Sequence, residues 1–430
     1  MLFDNLQRAI GWLLAVVLCA LSATALGVEV SHRSGEVLIF PTTYADERFN
    51  SLINIRNESD RGLVARAVFR DGQNGDPLLS FDLFLAPFDT WVAATIINDA
   101  GAAVLGVFDH SCTTADINDD GQINIGNQNQ TWLEVYALGT LSQQDTATLT
   151  DSAACPDSVE GGTMIEAISS APLSGDSQLI DVAGAIAFST TPSALGNFEL
   201  LERNSEARLD SLGIPDLGSG QSTMAKVSRS EFTFDSGRDA VSAALLASSV
   251  TTSFARDPAL NGRTDLLLTF PTRHLYQVTD GNGEPPFFNN TDSDSVAQQL
   301  AAAGANRDGE RFETTDDETT PDSPSGQQPA VTESQLSVNF ATPIVEFSAN
   351  AAPHPVPTDD SVVPSGSYTL LMGEFSFFSS DGVLVAGLPA IPISISAVRN
   401  NTLDFGEGPV EANYGWLNQV TLGLPAIFRI

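Results

Sequence analysis

From Val28 to about residue 141 the chain is a succession of short runs in which apolar and polar residues alternate, each closed by a turn residue. The run 35–40 stops at Pro41, and 51–56 alternates up to the turn at 57–60. Residues 63–70 place Leu63, Ala65, Ala67 and Phe69 on one face before Asp71 and Gly72 break the run. Leu79, Phe81, Leu83 and Leu85 alternate as far as Pro87, and 91–97 and 103–108 complete six strands. Alternation with period two places every second side chain on one sheet face. Repeated at intervals of ten or so residues with polar turns between, it predicts a mainly β protein of antiparallel, Ig-like β-sandwich lobes.

The same style continues through 131–138 and 178–182, with a few helical signals. A helix is expected over 238–249. Ser236 stands where a cap belongs, Asp239 lies at the positive end of the dipole, and Val241, Ala244 and Leu245 share a face. A second helix is expected over 295–303, between Asp294 as cap and Gly304 as stop. The apolar run 266–270 before Pro271 reads as a buried strand. Between 306 and 334 Thr, Asp, Glu, Pro, Ser and Gln dominate, too little apolar surface to offset ordering entropy, which predicts a disordered acidic linker. Strands resume over 335–340, 344–348, 368–378, 383–385 and 391–398.

The first residues change the picture. Residues 9–21 form an unbroken apolar run of 13, shorter than the roughly 20 residues a membrane-spanning helix needs. Ala23-Thr24-Ala25 follows as a small-x-small cleavage site, so 1–25 reads as a secretory signal peptide. No later segment is long and apolar enough to predict a transmembrane helix. The expected organisation is therefore a signal at 1–25, an N-terminal β-sandwich domain at 26–141 and a second β-rich region at 142–305. The linker at 306–334 and C-terminal strands at 335–430 that complete the second lobe follow.

Charge narrows the partners. The chain carries 54 acidic against 19 basic residues, for a formal net charge of −35, and Lys226 is its one lysine. Such a chain repels nucleic acid and anionic lipid, whose phosphates need clustered Lys and Arg. It suits a salty extracellular medium, where screening weakens the mutual repulsion of carboxylates. Cleavage of the signal leaves Cys112 and Cys155, which an oxidising compartment favours joining as a disulfide.

One segment has the spacing of a calcium loop. Asp116, Asn118 and Asp120 offer oxygens at positions 1, 3 and 5, Gly121 allows the sharp turn, and Gln122 and Asn124 occupy positions 7 and 9. At position 12 Asn127 replaces the usual bidentate acid, so a bound Ca2+ would be held weakly. The competing reading is an Asx-turn in which Asp and Asn satisfy their own backbone. Catalytic patterns are sparse. Of the four histidines, His32, His110, His274 and His354, none accompanies a nucleophile elbow or a zinc-protease helix. Gly175-Asp176-Ser177 resembles the start of an esterase motif but reads as a turn, and with so many carboxylates a glycosidase-like pair arises by chance. No catalytic residue is assigned.

Several phrases together resemble a family of uncharacterised exported proteins of Gram-negative bacteria. They are Val37-Leu-Ile-Phe-Pro41, Ser51-Leu-Ile-Asn-Ile-Arg-Asn57, Val68-Phe-Arg70 and the run from Phe81 through Pro87-Phe88-Asp89 to Trp91. Asp239-Ala-Val-Ser-Ala243, the run from Arg263 to Arg273, and Ala412-Asn-Tyr-Gly415 extend the likeness over most of the mature chain. These are packing and turn phrases. The resemblance implies export and one continuous architecture, and it brings no activity and no functional residues. Signal, sandwich patterning and the lack of a catalytic set lead to one expectation. The chain is an exported, non-enzymatic protein of the periplasm, cell surface or medium, with a structural, adhesive or ligand-binding role and a possible polysaccharide or surface ligand. The alternative is a secreted hydrolase acting on polysaccharide or ester.

Overall fold

A computed structural model describes residues 26–31, 33–45, 49–126, 130–152, 162–168, 170–181, 186–255, 263–276, 297–306, 311–312, 334–339, 344–348, 365–371, 375–404 and 409–429. The signal segment 1–25 and most of the acidic stretch 306–334 lie outside these residues, as do His32, Asn127, Cys155 and His354.

The first half runs as β1 (Glu29–Ser31), β2 (Val37–Tyr44), β3 (Asn50–Asn57), β4 (Leu63–Asp71), β5 (Pro77–Leu85), β6 (Thr90–Ile97) and β7 (Ala103–Val107). It continues as β8 (Cys112–Thr113), β9 (Gln122–Asn124), β10 (Gln130–Thr140), helix α1 (Gln143–Ser152) and β11 (Met164–Glu166). Then come β12 (Leu173–Asp181), β13 (Ile186–Thr190), β14 (Ser193–Gly196) and β15 (Glu206–Arg208). They form two antiparallel sheets. One has the order β1-β14-β2-β10-β4-β5-β8, with β11 beside β10 and β15 beside β11; the other is β13-β12-β3-β6-β7-β9. The mainly β sandwich expected from the alternation is thus present. Strand pairing crosses the expected boundary at 141/142: β12 lies along β3, and β14 along β2. The double sheet therefore takes its strands from both sides of that point.

The alternation predicted the inner faces. Leu63, Ala65, Ala67 and Phe69 of β4 pack with Leu38, Phe40, Ile53, Ile55, Trp91 and Val135 in the core between the two sheets. The opposite face of β4, Val64, Arg66, Val68 and Arg70, is buried as well. A second core covers it: Val64 and Val68 meet Trp132, Tyr136, Phe198, Leu217, Val241 and Leu267. A sheet covered on both faces is why all nine residues of β4 are buried.

The second half contributes β16 (Met224–Val227), β17 (Ser230–Thr233), α2 (Gly237–Ala244), β18 (Leu246–Ala247), β19 (Ser249–Ala255), β20 (Arg263–Thr269) and β21 (Ala297–Asn306). β22 (Arg311–Phe312), β23 (Ser334–Asn339), β24 (Ile344–Ser348), β25 (Ser365–Leu371), β26 (Ser376–Phe378) and β27 (Val383–Ala386) follow. The last are β28 (Leu388–Pro389), β29 (Ile391–Asp404), β30 (Pro409–Leu417), β31 (Thr421–Leu422) and β32 (Ala426–Arg429). β20 joins the halves: Leu267 enters the core beneath β4, whereas Leu266 and Leu268 enter a third core with Phe270, Phe375 and Val385. The Thr269 hydroxyl donates to the Pro41 carbonyl, 2.5 Å away, in the buried seam. Burial on both faces explains why Leu266, Leu267 and Leu268 follow one another without polar alternation.

Two helix expectations are corrected. Residues 297–306 are strand β21, paired antiparallel with β25 and β23. Cap and stop residues flanked an Ala-rich run, but ladder partners on both sides outweigh a weak local preference. The helix expected over 238–249 ends at Ala244, and the chain re-enters sheet at Leu246. Its start is as read: Ser236 is the N-cap and its hydroxyl accepts from the Asp239 amide. Helix α1 was not expected, although Ser142 and Asp145 form a cap pair that signals it: the Ser142 hydroxyl accepts from the Asp145 amide at 3.1 Å.

Candidate functional site

Two arginines lie on the face of β4 that alternation would give to solvent. Arg66 makes a two-pronged ion pair with Asp82 on β5, with contacts of 2.6 and 2.9 Å. Its remaining nitrogen donates to the carbonyls of Leu212 and Gly213. Arg70 pairs with Glu134 on β10 and donates to the carbonyls of Gly75 and Pro215. The carbonyls of Leu212, Gly213 and Pro215 thereby tie this segment to the two guanidiniums. Glu134 also accepts from the Trp132 indole at 3.0 Å and the Tyr136 hydroxyl at 2.7 Å, so both its oxygens are engaged. Burial opposes the Arg70 charge, but Glu134 and Tyr136 more than offset this and hold its proton tighter than usual. Burial and then the Glu134 charge push the Tyr136 phenol well above its ordinary range.

Beside this network sits His274. Its ring lies 6.0 Å from that of Trp132. Both ring nitrogens are sealed from solvent without a hydrogen bond of good geometry. Burial, reinforced by the Arg70 charge, pushes its pKa down to about 3, although the Pro271 backbone and Asp216 and Asp76 favour the proton weakly. The imidazole is therefore neutral. Arg273 next to it also leaves Nε and Nη1 without partners, and burial lowers its pKa to about 10. A third polar group fastens α2. The Tyr276 hydroxyl donates to Asp239 at 2.6 Å and lies 3.1 Å from the Ser242 hydroxyl, which donates to Thr272. Ser242 is completely buried, so the trio holds helix to turn and presents no nucleophile to solvent. The phrases ending at Arg70 and Arg273 and the one from Asp239 to Ala243 thus mark packing junctions.

Residues 116–122 of the calcium-loop spacing fall on a largely exposed turn that leads into β9, which holds Asn124; Asn127 lies outside the described residues. The Asn118 side-chain oxygen accepts from the backbone amides of Asp120 at 3.0 Å and Gln122 at 2.8 Å, and Gly121 takes φ +73°. The Asn124 oxygen accepts from Gly126. These are Asx-turn contacts; Asp116, Asp119 and Asp120 are exposed around them. Among the described residues no group of three or more His, Cys, Asp and Glu is arranged to hold a metal. Gly175-Asp176-Ser177, expected as a turn, lies inside β12, where the strand ladder with β3 takes its backbone. Asp176 accepts from Asn54 and Ser177 is 1% exposed, so no esterase elbow exists there.

Among the concave features that open to solvent is a cleft of about 520 Å³ at one end of the sandwich. Phe88, Asp89, Asp109, His110, Ser111 and Cys112 line it, with Leu149 and Thr150 of α1 opposite. The sequence brings these together because β6 begins at Thr90 where its antiparallel neighbour β7 ends at Val107. Two Phe-Asp dipeptides, 88–89 and 108–109, therefore leave the same sheet end, joined by a 3.4 Å contact from the Ser111 hydroxyl to Asp89. Asp89 accepts from the Ala86 and Thr90 amides, and Asp109 from the Ser111 amide through Oδ1. The Asp89 amide closes a turn onto the Ala86 carbonyl with Pro87 and Phe88 in the middle. Phe88 there has φ +60°, a conformation that glycine adopts freely and that costs another residue about 1 kcal/mol or more. Its ring is 65% exposed, and that of Phe108 is 64% exposed. The signal missed was Phe after Pro in a turn, where packing does not ask for it.

The class this geometry defines is a mainly β, antiparallel sandwich protein with a sealed polar interior and a cleft at one end among the described residues. No family model, no curated protein and no solved structure matches the chain.

Proposed function

We propose that the chain is an exported, non-enzymatic binding protein of the cell surface or periplasm, and that its ligand sits in the cleft at Phe88. One observation carries this reading: a strained backbone holds a large apolar ring in solvent at the mouth of a cavity. Such a ring gains nothing from folding and gains contact area from a ligand. Export is supported by the N-terminal apolar run and its Ala-x-Ala end. The Arg66–Asp82 and Arg70–Glu134 pairs and the neutral His274 are sealed in the interior, which suits scaffold use. The Cys112–Cys155 disulfide is supported by the burial of Cys112 at the cleft wall, and calcium at 116–127 by ligand spacing alone.

A hydrolase remains the second reading, favoured by Asp109 and His110 side by side in an open cleft. Processed protein is to be recovered from fractionated cells and offered pooled glycans, amines, peptides and chromogenic esters. Saturable binding abolished by Phe88→Ala, without turnover, is the expected result. Turnover that Asp109→Asn abolishes, or binding indifferent to Phe88, would replace this reading.

A further inference from the structure

We infer that the cleft takes an organic cation, an ammonium or guanidinium head carried by a small amine or by a basic side chain of a peptide. This rests on the cleft being the binding site. The described carboxylates in its wall, Asp89 and Asp109, are accompanied by no Lys or Arg among the lining residues. Asp89 spends both oxygens on the Ala86 and Thr90 amides and the Ser111 hydroxyl, whereas Asp109 is engaged through Oδ1, leaving Oδ2 for a ligand. Phenyl faces attract cations through their ring quadrupole, and Phe88 stands in solvent in the cleft wall. The field of a chain with net charge −35 draws cations to any concave acidic surface and turns anions away. Neutral sugars gain nothing from that field. A volume of about 520 Å³ exceeds a bare metal ion and suits an organic head with its stem.

Phe88 supplies the contrast that makes the inference testable. Glycine is better suited than phenylalanine to φ +60°. Phe88→Gly should keep or raise the melting temperature while weakening cation binding at least tenfold. A ring that served the fold would give a lower melting temperature instead. Mature protein would be titrated calorimetrically with choline, its neutral isostere 3,3-dimethylbutan-1-ol, argininamide, the tripeptide Gly-Arg-Gly and cellobiose. The expected pattern is binding of the cations, none of the isostere, a loss of affinity as salt rises, and weaker binding in Asp109→Asn. Choline binding above both arginine probes identifies a small-amine source; the reverse order identifies a peptide. Cellobiose or the isostere binding as well as choline overturns the cation inference and leaves the cleft as the binding site. Cation binding unchanged in Phe88→Gly, or no binding of any probe, overturns it as well; turnover in the hydrolase screen is the separate result that overturns the binding role.

Discussion

Arg70 and Glu134 pair diagonally across neighbouring strands β4 and β10, where Arg70 lies opposite Trp132 and Glu134 opposite Val68, with 4% and 0% of their side chains exposed. Neither charge has water to fall back on, so each depends on the other. Removing one partner leaves a buried, uncompensated charge, which costs far more than an exposed pair contributes. Glu134→Gln should destabilise the protein by about 3–5 kcal/mol. Replacing both by apolar residues, Arg70→Met with Glu134→Leu, should recover much of that. Urea midpoints for the three proteins check this, and a loss under about 1 kcal/mol in the single variant would show the pair to be dispensable.

His274 makes stability depend on pH with a defined sign. Unfolded, the imidazole takes up a proton near pH 6.5; folded, it resists until about 3. Between these values the unfolded state binds more protons, so stability declines on acidification, by at most about 1.4 kcal/mol per pH unit for one proton. The groups around it are Arg70, which adds to the effect, and Asp216 and Asp76, which reduce it. In His274→Gln the slope between pH 6.5 and 4 should be shallower than in the parent. Equal slopes in chemical denaturation across that range would remove His274 from the account.

Gly75 lies at φ +87°, and a Cβ there would stand 2.5 Å from the Cβ of His274. Gly101, at φ +78°, has nothing within 4 Å. Both alanine variants bear the conformational penalty of about 1 kcal/mol. Only Gly75→Ala also has to displace the 273–276 turn, and overpacking of this kind adds roughly 1–3 kcal/mol. The difference between the two melting curves measures that contact.

The turn at 116–127 separates its two readings cleanly. Asn118→Ala removes the acceptor of two backbone amides and should cost about 1 kcal/mol whether or not calcium is present. If the loop also holds Ca2+, millimolar calcium raises the melting temperature and Asp116→Ala abolishes the rise. A melting temperature indifferent to calcium and chelator leaves the Asx-turn as the whole explanation.

Peptide mapping under non-reducing conditions should join Cys112 to Cys155. On the chain-entropy view, closing a loop of about 43 residues stabilises by roughly 4 kcal/mol, so Cys112→Ser should lower the urea midpoint accordingly. Two free thiols in native material would refute the bridge.

What the sequence determined by itself is local. Period-two runs located the sandwich strands and the inward face of β4, and Ser236 located the start of α2, because strand alternation and helix capping depend on residues a few positions apart. The apolar run 266–270 announced a buried strand for the same reason. What only tertiary structure decided is everything set by the second neighbour. Nothing near Arg66 and Arg70 in sequence says that β5, β10 and the segment 212–215 will close over them and supply carboxylates and carbonyls. Nothing local turns the capped run at 295–303 into a strand; its partners, β25 and β23, lie far along the chain. The cleft belongs to that second kind: Phe88 and Asp109 are about twenty residues apart and line one cleft because antiparallel pairing returns the chain to where it began.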